Sequence, residues 1–287
     1  MQKISLPLSV FLLFVISAGD LLAITASEYA VVINLSGRQR MLTQKMSKEM
    51  LLIANNVDAE ANRSNLEKTA KLFDSTLAGL RDGNAEMGLP PTEGKVTLKQ
   101  LAKINKLWTE FSAVVTEVVK GGSVDIAKVA ELNLPLLKNM NTAVRLYEKE
   151  AKKVTGKSAG VVINLAGKQR MLTQKMSKEM SLVALNHDTA NNKTNLRSTA
   201  SLFDRTLKGL LDGDNDLELP GTKDQAIRAQ LTVVADLWKG FKPLVERASS
   251  IDSKGVSKED LVKMSKLNLP LLKEMNKAVK MYEQLEQ

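Results

Sequence analysis

One fourteen-residue segment occurs twice in this chain with a single change. Gly37–Met50 reads GRQRMLTQKMSKEM, and Gly167–Met180 reads GKQRMLTQKMSKEM, so only Arg38 against Lys168 differs and the charge is kept. Further matches hold the same spacing of 130 residues: Leu72-Phe73-Asp74 with Leu202-Phe203-Asp204, and Leu107-Trp108 with Leu237-Trp238. Leu132–Lys138 (LNLPLLK) returns as Leu267–Lys273 at a spacing of 135, which places a five-residue insertion in the Ala248–Glu259 loop. Repeats of this length are domains rather than solenoid units. The chain is therefore two copies of one fold, predicted at 27–155 and 156–287 behind a leader at 1–26.

Each copy reads as four helices. Helix 1 spans about Ser27 to Asn55, and helix 2 starts near Ser64. Leu66, Ala70, Phe73, Leu77 and Leu80 follow the 4,3,4,3 spacing that keeps one helical face apolar. Gly83 and Gly88-Leu89-Pro90-Pro91 end that helix. Helix 3 carries Leu101, Ile104, Trp108 and Phe111 and stops at Gly121-Gly122. Helix 4 carries Ile126, Asn133, Met140 and Tyr147, with Pro135 (Pro270 in the second copy) inside it as a kink or local unwinding. The prediction is an all-α protein of two tandem antiparallel four-helix bundles. The junction from Glu148 to Gly160 admits two arrangements. Helix 4 can run almost directly into the next helix 1 and stack the bundles as a rod, or the chain can fold back and make a pseudo-dimer.

The first residues read as an address. Lys3 precedes an apolar run from Leu6 to Ala18, and small residues follow at Ala18, Ala23 and Ala26. That is the arrangement of a cleaved secretory signal. The run is short for a membrane span, which takes ~20 apolar residues. The expectation is an exported, periplasmic protein with no transmembrane segment after cleavage. Its net charge of +9 favours anionic partners. Nucleic acid is not expected, given the export signal and an aromatic content of 4% that leaves few stacking platforms. No enzyme is expected either: there is no cysteine, no Ser–His–acid set and no glycine-rich phosphate loop. The one histidine, His187, stands where the other copy has Val57 and reads as a loop residue. Carboxylate clusters with metal-ligand spacing are absent from the sequence, so no metal or other cofactor is expected.

On a 100° wheel, helix 1 divides into three lines. Leu35, Gln39, Leu42, Met46, Met50 and Ile53 form the expected core face. Asn34, Arg38, Met41, Lys45 and Lys48 form a basic line. The third line, Gly37, Arg40, Gln44 and Ser47, is the unusual one. Glycine costs ~1 kcal/mol relative to alanine inside a helix, so a solvated face has no use for it. It suits close approach of a second helix with the arginine at the seam. An arginine there needs a counter-charge. That is either a carboxylate from elsewhere or a bound planar anion, which a guanidinium fork matches. The candidate ligand-binding residues are thus Gly37, Arg40 and Gln44, with Gly167, Arg170 and Gln174.

Ile33–Met46 and its copy Ile163–Met176 resemble the PilJ-type module found at the N-terminus of type IV pilus chemotaxis transducers. They are also similar to the first-helix box Ile-Asn-x-Ala-Gly-x-x-Arg-Met of bacterial nitrate/nitrite sensor kinases. The resemblance covers both copies and implies a periplasmic four-helix sensor bundle. In the nitrate sensors the arginine before that methionine binds nitrate between the first helices of a dimer, and it maps onto Arg40 and Arg170. Two departures leave the ligand open: those sensors carry a small residue where Arg38 and Lys168 stand, and an arginine where Lys45 and Lys175 stand. Two readings follow. One is a chemotaxis-related, sensor-like protein that binds a small anion such as nitrate or nitrite, as a homodimer or beside a membrane-receptor partner. The other is an interaction module whose basic line, Lys45, Lys48, Lys175 and Lys178, docks an acidic pilus or receptor component with no small ligand.

Overall fold

The computed structural model describes residues 24–155 and 159–285. Residues 1–23 of the expected leader, the centre of the junction at 156–158 and residues 286–287 lie outside these. Eight α-helices form two sets of four: α1 (Ala26–Ala54), α2 (Ala59–Asp82), α3 (Lys95–Val119) and α4 (Ile126–Thr155), then α5 (Ala159–Ala184), α6 (Thr189–Asp212), α7 (Gln225–Ser249) and α8 (Lys258–Gln284). Within each set, every helix packs on the next and the fourth closes on the first. No helix among the described residues is long and apolar enough to cross a membrane.

Local chemistry sets the ends. Thr25 and Glu28 form a capping box at the start of α1, and Ser257 and Asp260 form one at the start of α8. Helix α2 begins five residues earlier than the apolar stripe indicates. Asp58 holds a left-handed turn (φ 42°), and the amide of Asn62 donates to the Val57 carbonyl, which carries the helix back to Ala59. Asp188 and Asn192 repeat this before α6. His187 sits in that turn, between α5 and α6, as the sequence indicates. Gly83 and Gly213 end α2 and α6 at φ 87° and 99°, conformations that a side chain would strain. The insertion falls in the α7–α8 connection, as its spacing requires. Helices α4 and α8 remain continuous through Pro135 and Pro270, and α7 contains a further proline, Pro243.

The buried apolar residues of the two sets form one contiguous core. Phe73 packs on Trp108 at a ring separation of 4.5 Å, and Phe203 on Trp238 at 4.6 Å. The indole nitrogens donate to Asp74 and Asp204 at 2.8 and 2.9 Å, so each buried aromatic keeps its polar end satisfied.

The two sets do not stack as a rod. Helix α1 lies along α5 in the most extensive helix–helix contact of the molecule. The Arg40 guanidinium reaches Asn164 and the amide of Asn55 reaches the Ser181 carbonyl, so the two helices run parallel and in register. The chain folds back, and α1 of one set and α5 of the other form a central seam with α4 and α8 flanking it. For this reason α1 has no single core face. Leu35 and Ile53, at the ends of the expected core line, are half-buried, whereas Arg40, Gln44 and Ser47 on the opposite side are fully buried.

Candidate functional site

The main polar contacts across the seam have counterparts at equivalent positions of the two sets, in a pseudo-twofold arrangement. The guanidinium of Arg40 is 1% exposed; its Nη1 donates to Asn141 Oδ1 at 2.9 Å, and its Nη2 to Asn164 Oδ1 at 2.5 Å and to the Asn164 carbonyl at 3.2 Å. Arg170, also 1% exposed, donates through Nη1 to Asn276 Oδ1 at 2.9 Å and through Nη2 to the Asn34 carbonyl at 3.1 Å. Asn141 and Asn276 come from α4 and α8; Asn164 and Asn34 come from the opposite central helix. The glycines make this convergence possible. A Cβ placed on Gly37 would stand 3.3 Å from Arg40 Nη2 and 3.8 Å from Arg170 Nη2; on Gly167 the distances are 3.2 Å to Arg170 Nη2 and 3.9 Å to Arg40 Nη2. Both guanidinium groups therefore press on the same two bare stretches of backbone.

The electrostatics of this pair are unusual. All the direct partners above are neutral amides and carbonyls. The Nε of both arginines is buried and unpaired among the described residues. Burial pulls both guanidinium groups below their ordinary range, and Arg38 and Arg40 pull Arg170 further down. They stay protonated at neutral pH, because a guanidinium does not lose its proton there. Two like charges ~7 Å apart repel by ~2 kcal/mol at an effective dielectric constant of 20. An anion between two such forks would accept hydrogen bonds and remove that repulsion.

Gln44 and Gln174 are buried in the next layer along the seam, turned toward the fourth helices. Gln44 Nε2 donates to Asn133 Oδ1 at 2.9 Å, and Gln174 Nε2 to Asn268 Oδ1 at 2.8 Å. The Oε1 of each glutamine meets no donor among the described residues. Asn133 and Asn268 also donate to the Thr43 and Thr173 carbonyls, which ties α4 and α8 to the seam.

The basic line of helix 1 is not a free surface. Lys48 and Lys178 are 4% and 6% exposed and cross the seam to the opposite set: Lys48 Nζ donates to Asn268 Oδ1 at 3.3 Å, and Lys178 Nζ to Asn133 Oδ1 at 3.1 Å. Lys45 and Lys175 pair with Glu49 and Glu179 on their own helices and donate to Thr69 and Thr199. An acidic partner cannot reach Lys48 or Lys178 without opening the seam. The spacing of helix 1 leaves this undecided, since a lysine beside a helix–helix contact can be solvated or can cross it.

Burial lowers both seam lysines to about 8, with Glu49 and Glu179 opposing the shift. Their unfolded value is near 10.4. Below the folded value both states hold the proton, and the fold carries the whole cost of the buried charge. Between the two values the unfolded chain binds more protons, so stability rises with pH. Urea unfolding should therefore show stability increasing from about pH 8 toward pH 10, by up to ~3 kcal/mol per lysine. The Lys48→Met/Lys178→Met variant should lose the rise. Above that window the gain reverses, because burial holds the Tyr147 and Tyr282 hydroxyls protonated in the fold.

A four-helix module, duplicated and closed on itself, is the class that this fold and seam define. The chain belongs to the PilJ family, the N-terminal domain of type IV pili methyl-accepting chemotaxis transducers, whose family model matches residues 23–130 and 155–261. It is 30% identical over 124 residues to the methyl-accepting chemotaxis protein McpN of Pseudomonas aeruginosa, covering 42% of this chain and 23% of that protein. It is 25% identical over 239 residues to AlkN of Alcanivorax borkumensis, described as of the methyl-accepting chemotaxis type, covering 82% of this chain and 33% of that protein. The chain thus spans at most a third of the length of these relatives. No solved structure matches it.

Proposed function

We propose that this is a periplasmic sensor-like protein in which two PilJ units bind one small planar anion, nitrate or nitrite first among candidates, between Arg40 and Arg170. Residues 1–26 act as an export leader, and 27–155 and 156–287 are the two units. The ligand-bound form passes its state to a membrane-receptor partner. The observation that carries this reading is the convergence of two fully buried arginines, one from each unit, on Gly37 and Gly167 with only neutral groups as direct partners. The arginine that binds nitrate in the similar sensor kinases comes from each of two chains; here one chain supplies both. Sensing rather than catalysis fits the PilJ family. No group of three or more His, Cys, Asp or Glu side chains among the described residues is placed to hold a metal ion.

Isothermal calorimetry with nitrate, nitrite and small carboxylates on the wild type and on Arg40→Ala/Arg170→Ala tests the proposal. Binding by the wild type alone is expected. Equal binding by both proteins, or binding of none of these anions, would overturn it.

A further inference from the structure

The arginine pair is buried, yet two carboxylates stand one residue behind it. Glu148 on α4 is hydrogen-bonded to the side chain of Asn164 on α5, and Asn164 accepts from Arg40. In the other half, the amide of Asn34 on α1 donates to Glu283 on α8, and the Asn34 carbonyl accepts from Arg170. Glu148 and Glu283 are repeat equivalents: Tyr147-Glu148 returns as Tyr282-Glu283 at the spacing of 135. Each carboxylate acts electrostatically on the arginine of its own relay, Glu148 on Arg40 and Glu283 on Arg170. The two relays, Glu148–Asn164–Arg40 and Glu283–Asn34–Arg170, each draw one residue from α4 or α8, one from the opposite central helix and one arginine.

We propose that Glu148 and Glu283 are the resident counter-charges of the anion site and set its affinity by competing, through Asn164 and Asn34, with the incoming anion. This rests on the anion-binding reading above. The carboxylates act on the guanidinium groups electrostatically, with the asparagines as the bonded intermediaries, and the Nε of each fork stays unpaired among the described residues. They nevertheless lower the positive potential that an anion meets. They are positioning and tuning residues rather than ligands.

The surroundings of Glu148 make one relay sensitive to protons. Arg40 on α1, Asn164 on α5, Arg145 on its own helix and Glu218 in the loop before α7 are the groups that act on it. Burial dominates and holds its carboxyl above the ordinary range. Protonated, Glu148 stops competing, so anion affinity falls as pH rises through its titration.

Calorimetry with nitrate on the full chain tests this with Glu148→Gln/Glu283→Gln. Glutamine keeps a hydrogen bond to asparagine and removes the charge. Each carboxylate acts on its arginine across one intervening asparagine, so the double variant should bind nitrate about tenfold more tightly, and each single variant about threefold. Glu148→Gln should also flatten the dependence of affinity on pH. If the double variant does not fold, the two single variants decide the question. Affinity equal to or weaker than the wild type, with the pH profile unchanged, overturns the proposal and leaves the anion site standing. Failure of the wild type itself to bind overturns the anion site and this tuning together.

Discussion

Replacing both seam arginines by methionine, Arg40→Met/Arg170→Met, should abolish the rise in melting temperature that nitrate confers and should raise the stability of the anion-free protein. A ligand at a hundred times its dissociation constant stabilises the fold that binds it by about 2.7 kcal/mol. That increment depends on the two forks, so it should vanish. The anion-free gain has a separate cause. Each guanidinium is 1% exposed, its direct partners are neutral, and its neighbour carries the same sign. Exchanging buried charges for apolar side chains of similar volume is often neutral or stabilising, by about 1–4 kcal/mol. A single Arg40→Ala change should do the opposite: the unpaired Asn141 and Asn164 acceptors are common to both variants, but alanine also leaves a cavity at the seam that methionine fills. Thermal melts with and without nitrate separate the three cases. If the double methionine variant melts lower than the wild type and still responds to nitrate, the arginines are structural and the site lies elsewhere.

Gly37→Val should lower stability by about 1–3 kcal/mol and remove nitrate binding at the same time. The Cβ alone would stand 3.3 Å from the terminal nitrogen of Arg40, tighter than most real contacts. The two further methyl carbons should push on both guanidinium tips and drive α1 and α5 apart. Separation also stretches the bonds of Lys48 and Lys178 to the opposite units and leaves two ammonium groups poorly paired. Gly167→Val should match it, because the pseudo-twofold gives Gly167 the same surroundings. Alanine at either position asks only for a shift of the flexible arginine tip, so it should cost far less. Urea unfolding of the valine and alanine pairs measures the difference, and a valine variant as stable as alanine would show that the helices do not approach closely there.

The fold was largely legible because a duplication reports on itself. Matching spacings of 130 and 135 marked the units, and the stripe from Leu66 to Leu80 marked α2. Local backbone chemistry was harder to read: the Asp58 turn and the Asn62 bond that start α2 early carry no apolar signal. Arg40 and Gly37 stood out together because a glycine inside a polar stripe has a cost that only close approach explains. The rest of the site was hidden for a physical reason. Asn141, Glu148, Asn276 and Glu283 lie on the fourth helices, a hundred residues from the arginines they serve, and asparagine on a helix face looks the same whether solvated or buried. Their only trace is the repeated Met-Asn-x-Ala-Val and Tyr-Glu at Met140–Val144, Met275–Val279, Tyr147-Glu148 and Tyr282-Glu283. The fold-back was illegible as well. The composition around Gly156 and Gly160 permits a continuous helix and a reversal alike, and the outcome depends on the α1–α5 contact, which no local segment encodes.

That contact makes the central claim sharp: Arg40 and Arg170 of one chain form one site. The most direct test is the stoichiometry of nitrate binding by calorimetry, on protein whose mass in solution is fixed by sedimentation equilibrium. One anion per chain, bound by a monomer and lost with either arginine, is the predicted result. Two anions per chain, or binding that appears only when two chains associate, would contradict it.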